Sequence, residues 1–400
     1  MRYDLVFEGG GAKGMVFAGA YDEFVQRGNT FGRLLGTSAG AITAVLLAAG
    51  YSPEEVSGAL NEREDDKPVF AGFMGEPEPF TKLEVRASAV RALLGDIRIK
   101  MIPASWEDRL DDSLAEALAG NPQSRHFFAF VERGGWYAAE HFVEWLKRKL
   151  DSGESAGVPR AFSGFTLQQF YAATGVDLSV VASDTTDGRM LTLNHRTTPD
   201  CPVVWAVRMS MSIPLVWNEV IWLKEWGTYL GRDMTGHAIV DGGMLSNFPI
   251  ELFLSDAPQV TRLMGPKTDD PVQGWLIDES LPVPQLAARG ILVDIDIRPG
   301  ELRTVQRLRR LVDTMTGAHD KMVIEEFEQL VVRLPAKGYG TTEFDMSETR
   351  RNSLVAAGRQ AMSDYLDSRL LAAAPRGIDP DQARVRRLAD RTALRILEQE

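Results

Sequence analysis

Ser38 stands between Gly36 and Gly40 in the run Gly36-Thr-Ser-Ala-Gly40, and a serine flanked in this way is the mark of a nucleophile elbow. At a sharp strand-to-helix turn the two glycines remove side chains that would strike neighbouring backbone, and the hydroxyl is projected into the open. The turn also sets Ser38 at the start of an apolar helix, where free N–H groups and the helix dipole favour developing negative charge. Upstream, Glu8-Gly-Gly-Gly-Ala-Lys-Gly-Met15 carries Gly9, Gly10 and Gly11 in succession. Glycine amides can turn toward a ligand without steric cost, so this loop can supply the donors that a tetrahedral oxyanion requires. Lys13 can orient the loop, meet an anionic head group, or pair with a surface carboxylate. The order of loop and elbow points to acyl transfer by a serine.

The same loop has a competing reading. Gly9-x-Gly11-x-x-Gly14 satisfies the dinucleotide-binding fingerprint, which sits after a strand and before a helix. That fingerprint expects an acidic residue at the end of the second strand to hold ribose hydroxyls. No Asp or Glu occurs between Glu23 and Glu54, and the second strand instead runs into Gly36-Thr37-Ser38. The phosphate loop of nucleotide hydrolases also fails, because Met15 follows Gly14 where that loop needs Lys and then Ser or Thr.

A serine nucleophile needs a proton acceptor. The histidines are His126, His141, His195, His237 and His319, and none has a recognisable catalytic context. His237 is kept as an outer candidate because it precedes Asp241 by four residues. A short apolar strand, Ala238-Ile-Val, delivers Asp241 to its end, and Gly242 and Gly243 leave the carboxylate uncrowded. Alone, Asp-Gly-Gly is usually a turn; behind a donor loop and a serine elbow, Asp241 is the best candidate for the base.

These three segments in this order resemble the patatin-like phospholipase family, which combines a Gly-Gly-Gly-x-Arg/Lys-Gly loop, a Gly-x-Ser-x-Gly elbow and a distal Asp-Gly-Gly/Ala. Ser210-Met-Ser-Ile-Pro214 and Asn247-x-Pro249 resemble the family's segments on either side of the Asp motif. The resemblance covers residues 3–50 and 178–255 well and the rest loosely. It implies a Ser–Asp dyad in place of a triad, with Ser38 as nucleophile, Asp241 as base and backbone donors from Gly10 and Gly11. It also implies a three-layer α/β/α fold, a mostly parallel central sheet flanked by helices.

The elements that must position these residues can be read from periodicity. Residues 3–7 and 31–35 have strand character, with helical spacing over 14–26 and again from Ser38 to Gly50, an opening typical of a parallel sheet covered by helices. Further strands are expected over 178–182, 203–207, 238–240, 291–297 and 330–334, and helices over 83–94, 106–119, 138–150, 348–371 and 382–397. Residues 52–165 read as a helical insertion in an acyl-hydrolase domain of residues 1–335, with residues 336–400 as a C-terminal helical extension.

Two aromatic-rich stretches have open readings. Trp217, Trp222, Trp226 and Tyr229 fit ordinary core packing or an acyl-chain pocket and interfacial rim. Phe70, Phe73, Met74 and Phe80 lie in a Gly/Pro-rich stretch that is either a lid or a surface loop.

Composition narrows the function further. The 400 residues carry 56 acidic and 44 basic side chains, a net charge of −12, which argues against broad nucleic-acid binding. The single cysteine, Cys201, excludes an intrachain disulfide framework and fits a reducing compartment. No signal-peptide pattern opens the chain, and the most apolar stretch, residues 39–50, is shorter than the ~20 residues needed to span a bilayer. The expectation is a cytoplasmic serine acyl hydrolase that visits membrane surfaces and cleaves fatty-acyl esters of phospholipids or related lipids. It needs no metal or other cofactor. An acyltransferase using the same acyl-enzyme is the alternative, and nucleotide binding by Gly9–Gly14 comes behind both.

Overall fold

Strands β1 (Arg2–Phe7) and β2 (Thr30–Thr37) are apolar runs buried on both faces, as strands in the middle of a helix-covered sheet must be. The computed structural model describes residues 1–64, 67–96, 115–117, 119–284, 327–372 and 382–397. In it β1 and β2 pair in parallel, joined by helix α1 (Val16–Gln26). Helix α2 (Ala39–Ala48) leaves β2 directly through Ser38. Its sequence is apolar all round, and it is correspondingly buried apart from a half-buried Ile42.

The remaining strands complete an eight-stranded mixed sheet. They are β3 (Leu178–Asp184), β4 (Arg189–Leu193), β5 (Val220–Ile221), β6 (Ala238–Asp241), β7 (Val272–Pro282) and β8 (Val331–Lys337). The line β8-β7-β1-β2-β3 is parallel throughout. Beyond it, β4 runs antiparallel along one edge of β3, from Val180 to Asp184. The other edge of β3 carries two strands in succession. Parallel β2 pairs up to Val181, and antiparallel β6 takes over at Ala182.

Alternation along β1 separates two cores. Leu5 and Phe7 pack with α1, α2, α3 (Val203–Ser210) and α4 (Glu348–Ala372), while Val6 packs with helices Glu251–Leu254, Pro258–Met264 and α5 (Gln382–Leu397). The result is a three-layer α/β/α fold. On the first face α1 and α4 approach backbone to backbone. A Cβ on Gly19 would lie 1.8 Å from the Val355 carbonyl oxygen, and one on Gly358 would lie 2.1 Å from that of Val16.

Three expectations need correction. Residues 203–207 are helical, not a strand. Pro202 opens the helix with extended backbone, and the β-branched run is buried on the face of the sheet, so tertiary packing overrides strand propensity. The helix expected over 83–94 is two, Lys82–Ala87 and Ala89–Asp96, parted at Ser88, whose hydroxyl accepts the Arg91 N–H. The stretch around Phe70 and Phe73 is not a surface loop. It forms a 3-10 turn, Val69–Phe73, whose two phenylalanines are buried against Trp145 in the main core. The helix expected over 106–119 lies largely, and the strand over 291–297 wholly, outside the described residues.

Candidate active site

Ser38 occupies the single residue between β2 and α2 with φ 52° and ψ −118°, a left-handed backbone that a side chain seldom adopts. The glycines on either side make the turn possible. A Cβ on Gly36 would lie 2.4 Å from the Gly40 carbonyl oxygen, and one on Gly40 would lie 2.3 Å from that of Phe7. The Ser38 N–H donates to Ser210 Oγ (3.0 Å), which ties the turn to the end of α3. Ser38 as a whole is 5% exposed.

The glycine loop packs straight onto this elbow. A Cβ on Gly9 would stand 3.0 Å from Ser38 Cβ, and one on Gly14 would stand 2.6 Å from Ala39 Cβ. Gly11 has φ +54° and opens a 3-10 turn that leads into α1. The loop's amides are not equivalent. Gly9 N–H donates to the Asn247 carbonyl (3.2 Å), Ala12 N–H to that of Thr341 (2.8 Å) and Lys13 N–H to that of Gly10 (3.2 Å). The amides of Gly10 and Gly11 donate to no group among the described residues.

The sheet brings Asp241 to the same place. Thr37, the last residue of β2, pairs with Val181, and Asp241, the last of β6, pairs with Ala182. The two strands run toward each other along one edge of β3, so their ends meet. The Asp241 backbone is held by its N–H to the Ser212 carbonyl (2.9 Å), and Ser212 Oγ is in turn bonded to the buried guanidinium of Arg208. Asp241 Oδ1 accepts the Gly243 N–H at 2.8 Å, whereas the buried Oδ2 has no hydrogen-bond partner among the described residues. Burial pushes this carboxyl up to about pKa 7, against the pull of the nearby Ser38 hydroxyl and the Gly243 amide. Gly242 lies against β3, where a Cβ would stand 2.4 Å from the Val181 carbonyl oxygen.

Asn247 ties the two halves together. Its Nδ2 donates to the Gly9 carbonyl (3.0 Å) and to Glu8 Oε1 (3.3 Å), and its Oδ1 lies where a Cβ of Gly9 or Gly243 would intrude. Glu8 in turn accepts the Ile277 N–H at 2.6 Å, which anchors the start of the loop to β7.

In front of Ser38 opens a pocket of about 480 Å³, counting its mouth. Its walls include Met15, Ile42, Leu60, Phe70, Phe73, Met211, Ile213, Trp217 and Phe344. The polar side chains lining it are Ser38 and Thr43, and the Thr43 hydroxyl is spent on the Ala39 carbonyl (3.1 Å). Trp217 contributes to the wall, while Trp222, Trp226 and Tyr229 are buried packing. Leu60 and Phe344 carried no sequence signal beyond being apolar. Their spacing belongs to their own elements and does not reveal the shared cavity.

Lys13 and His237 are both engaged with carboxylates other than Asp241. Lys13 is buried and its ammonium bonds Glu279, outside the pocket lining. His237 Nδ1 lies 2.9 Å from Asp184 Oδ2, so this ring serves Asp184 rather than Asp241. Asp184, Asp187 and His237 place ligand-type atoms within 4.8 Å of one another, but Arg189 and Arg232 share the same carboxylates. This is an ion-pair cluster on the antiparallel edge of the sheet.

The site is therefore a strained serine elbow, faced by a glycine loop and a buried carboxylate, at an apolar cavity in a three-layer α/β/α protein. The sequence profile of the Patatin-like phospholipase family matches residues 5–254, and the chain belongs to that family. Among relatives it is similar to the uncharacterized protein YqhO of Bacillus subtilis (strain 168), with 26% identity over 92% of this chain and 98% of that one. It is also similar to the probable lipid hydrolase 463L of Invertebrate iridescent virus 6, 19% identical over 62% of either chain. Among solved structures, VipD from Legionella pneumophila matches with a TM-score of 0.44 and 17% identity, covering 92% of this chain and 67% of VipD.

Proposed function

We propose that this protein is a lipid acyl hydrolase in which Ser38 and Asp241 form the catalytic dyad. One observation carries the reading: the buried Asp241 carboxylate, with one oxygen unpartnered among the described residues, comes off the end of β6 where β2 delivers Ser38, and Ser38 lines a pocket whose walls are almost wholly apolar. Membership of the Patatin-like phospholipase family supports it.

In this mechanism Asp241 takes the Ser38 proton as Oγ attacks the ester carbonyl. The Gly10 and Gly11 amides receive the oxyanion, the alcohol or lysolipid leaves with a proton, and water then cleaves the acyl-enzyme. A carboxylate raised to about pKa 7 is a better base near neutrality than an ordinary one, which meets the chief objection to a dyad without histidine. The strained turn holds Oγ in place in advance, and burial removes the water that would otherwise compete for Asp241.

The pocket favours a fatty-acyl group over a phosphate. Among the described residues no cationic side chain lines it, and the loop's lysine is engaged with Glu279, while the dinucleotide reading of Gly9–Gly14 still lacks an acidic residue at the end of β2 to hold ribose hydroxyls. The lipid is reached by transient contact of a cytoplasmic protein with a membrane surface. No helix among the described residues is long and apolar enough to cross one. Transfer of the acyl group to an alcohol in place of water would use the same intermediate. The deciding experiment compares wild type with Ser38→Ala by fluorophosphonate labelling and by analysis of lipid products from vesicles. Labelling and fatty-acid release should both vanish in the variant; release that persists would reject Ser38 as nucleophile.

A further inference from the structure

The family profile ends at residue 254, yet the pocket at Ser38 is not closed until residue 344. Residues 338–346, between β8 and α4, lie across the site as a strap. The Thr341 carbonyl holds the glycine loop through the Ala12 N–H (2.8 Å), and a Cβ on Gly11 would lie 2.1 Å from the same oxygen. Three residues on, Phe344 is buried, lines the pocket and meets Trp217 edge to face, with ring centroids 5.5 Å apart.

The strap is pinned from α4. Arg350 donates to the Gly338 carbonyl (2.7 Å) and to both carboxylate oxygens of Glu343 (2.6 and 2.9 Å), and Arg351 donates to the Met346 carbonyl (2.9 Å). The aromatic walls on the other sides belong to the core. Trp217 Nε1 donates to the Phe73 carbonyl (2.9 Å), which locks those two residues to each other. Phe344 is carried into the core by the strap and packs there on Trp217, whose own position is fixed by its bond to Phe73, so shortening the Phe344 side chain enlarges the cavity.

We propose that Phe344 is a specificity-determining residue that limits the bulk of the acyl group admitted beside Ser38. This rests on the acyl-hydrolase reading above. The family-matched segment supplies nucleophile, loop and carboxylate, and the strap supplies the surface that measures the substrate.

The test compares aryl esters of a linear and a branched acyl group of equal carbon number. Phe344→Ala should raise the branched-to-linear ratio of kcat/KM by about tenfold, the scale expected for a methyl-sized change in an apolar pocket. A small fluorophosphonate should still label Ser38 in the variant, which shows that the nucleophile is intact. Phe344→Leu, a milder change that keeps the fold should Phe344→Ala lose it, should move the ratio the same way by less. A folded, labelled variant with the wild-type ratio overturns the inference and leaves the hydrolase reading standing. If wild type hydrolyses neither ester, the hydrolase reading fails and the pocket is tested by binding. The linear and branched acids then displace cis-parinaric acid from Ser38→Ala, with and without Phe344→Ala. A shift in favour of the branched acid sustains the role of Phe344, and identical displacement overturns it.

Discussion

Thr37 and Asp241 sit on consecutive rungs of one edge of β3, opposite Val181 and Ala182, although they belong to strands that run in opposite directions. This junction is where the parallel part of the sheet gives way to the antiparallel part. It makes the Ser38–Asp241 approach a property of backbone register. A slip of one residue in β6 would turn the Asp241 side chain to the other face of the sheet. The proposed dyad thus depends on hydrogen bonds that neither residue's side chain makes.

The first prediction concerns the pair itself. Ser38→Ala and Asp241→Asn should each reduce kcat for ester hydrolysis by at least about 10³-fold, and the double variant should be little worse than either, because the two act as one unit. Circular dichroism should show the fold retained. Independent, multiplicative losses would argue that the two residues do not act together.

A pH profile tests the environment of Asp241. Its carboxyl must be ionised to accept a proton and is held up to about pKa 7, so kcat/KM should fall toward half as pH drops to about 7 and keep falling below it. A limb centred near pH 4 would contradict a buried base. Stability moves the opposite way. The folded state raises this pKa above its ordinary value of 3.8, so the carboxyl's contribution is full below about pH 4 and is lost as pH rises through 7. Asp241→Asn, neutral throughout, should therefore melt progressively higher than wild type between pH 5 and pH 8. Each tenfold difference in proton affinity between the folded and unfolded chain is worth roughly 1.4 kcal/mol, and this linkage caps the gain.

Gly40→Ala should damage both stability and the site. The added methyl carbon would fall 2.3 Å from the Phe7 carbonyl oxygen and 2.7 Å from that of Glu8, so β1 and the glycine loop must move. A loss of about 1–3 kcal/mol in urea unfolding is expected, with slower fluorophosphonate labelling. Gly58→Ala is the control. It lies in the helix Pro53–Leu60 with nothing within 4 Å, and should be neutral or stabilising by up to about 1 kcal/mol.

Asn247→Ala should lower kcat more than it alters KM. It removes the side-chain bonds to the Gly9 carbonyl and to Glu8, which hold the donor loop in register with the Asp-Gly-Gly turn. A fall of about 10²-fold, the order seen when one oxyanion donor is lost, is expected in single-turnover measurements. An effect confined to KM would show that Asn247 serves substrate binding instead.

Much of this site was legible because its parts are local. Gly36, Ser38 and Gly40 lie within five residues, and the strand, turn and helix they require are all present around Ser38. What joins the parts was not legible. No periodicity shows that β2 and β6 share an edge of β3, or that Asn247 reaches Gly9. Residues 203–207 misled for a related reason: a run of valines prefers a strand until the sheet face it covers demands a helix. Phe70 and Phe73 misled because glycine and proline neighbours suggest a loop, and their burial depends on Trp145 in another helix.

The contact between α1 and α4 has a consequence for how the protein comes into being. The helix that leaves the glycine loop is backed by one reached only near the other end of the chain, as the Arg27–Asp367 pair shows across 340 residues of sequence. Translation at about 5–20 residues per second completes the loop, the elbow and the Asp241 turn well before α4 emerges. Until then α1 has a bare glycine-notched face, and the strap that closes the pocket is not yet made. The nascent chain thus carries the elbow, the glycine loop and the Asp241 turn before it has a formed pocket around them, and the pocket is completed only after the strap and α4 have emerged.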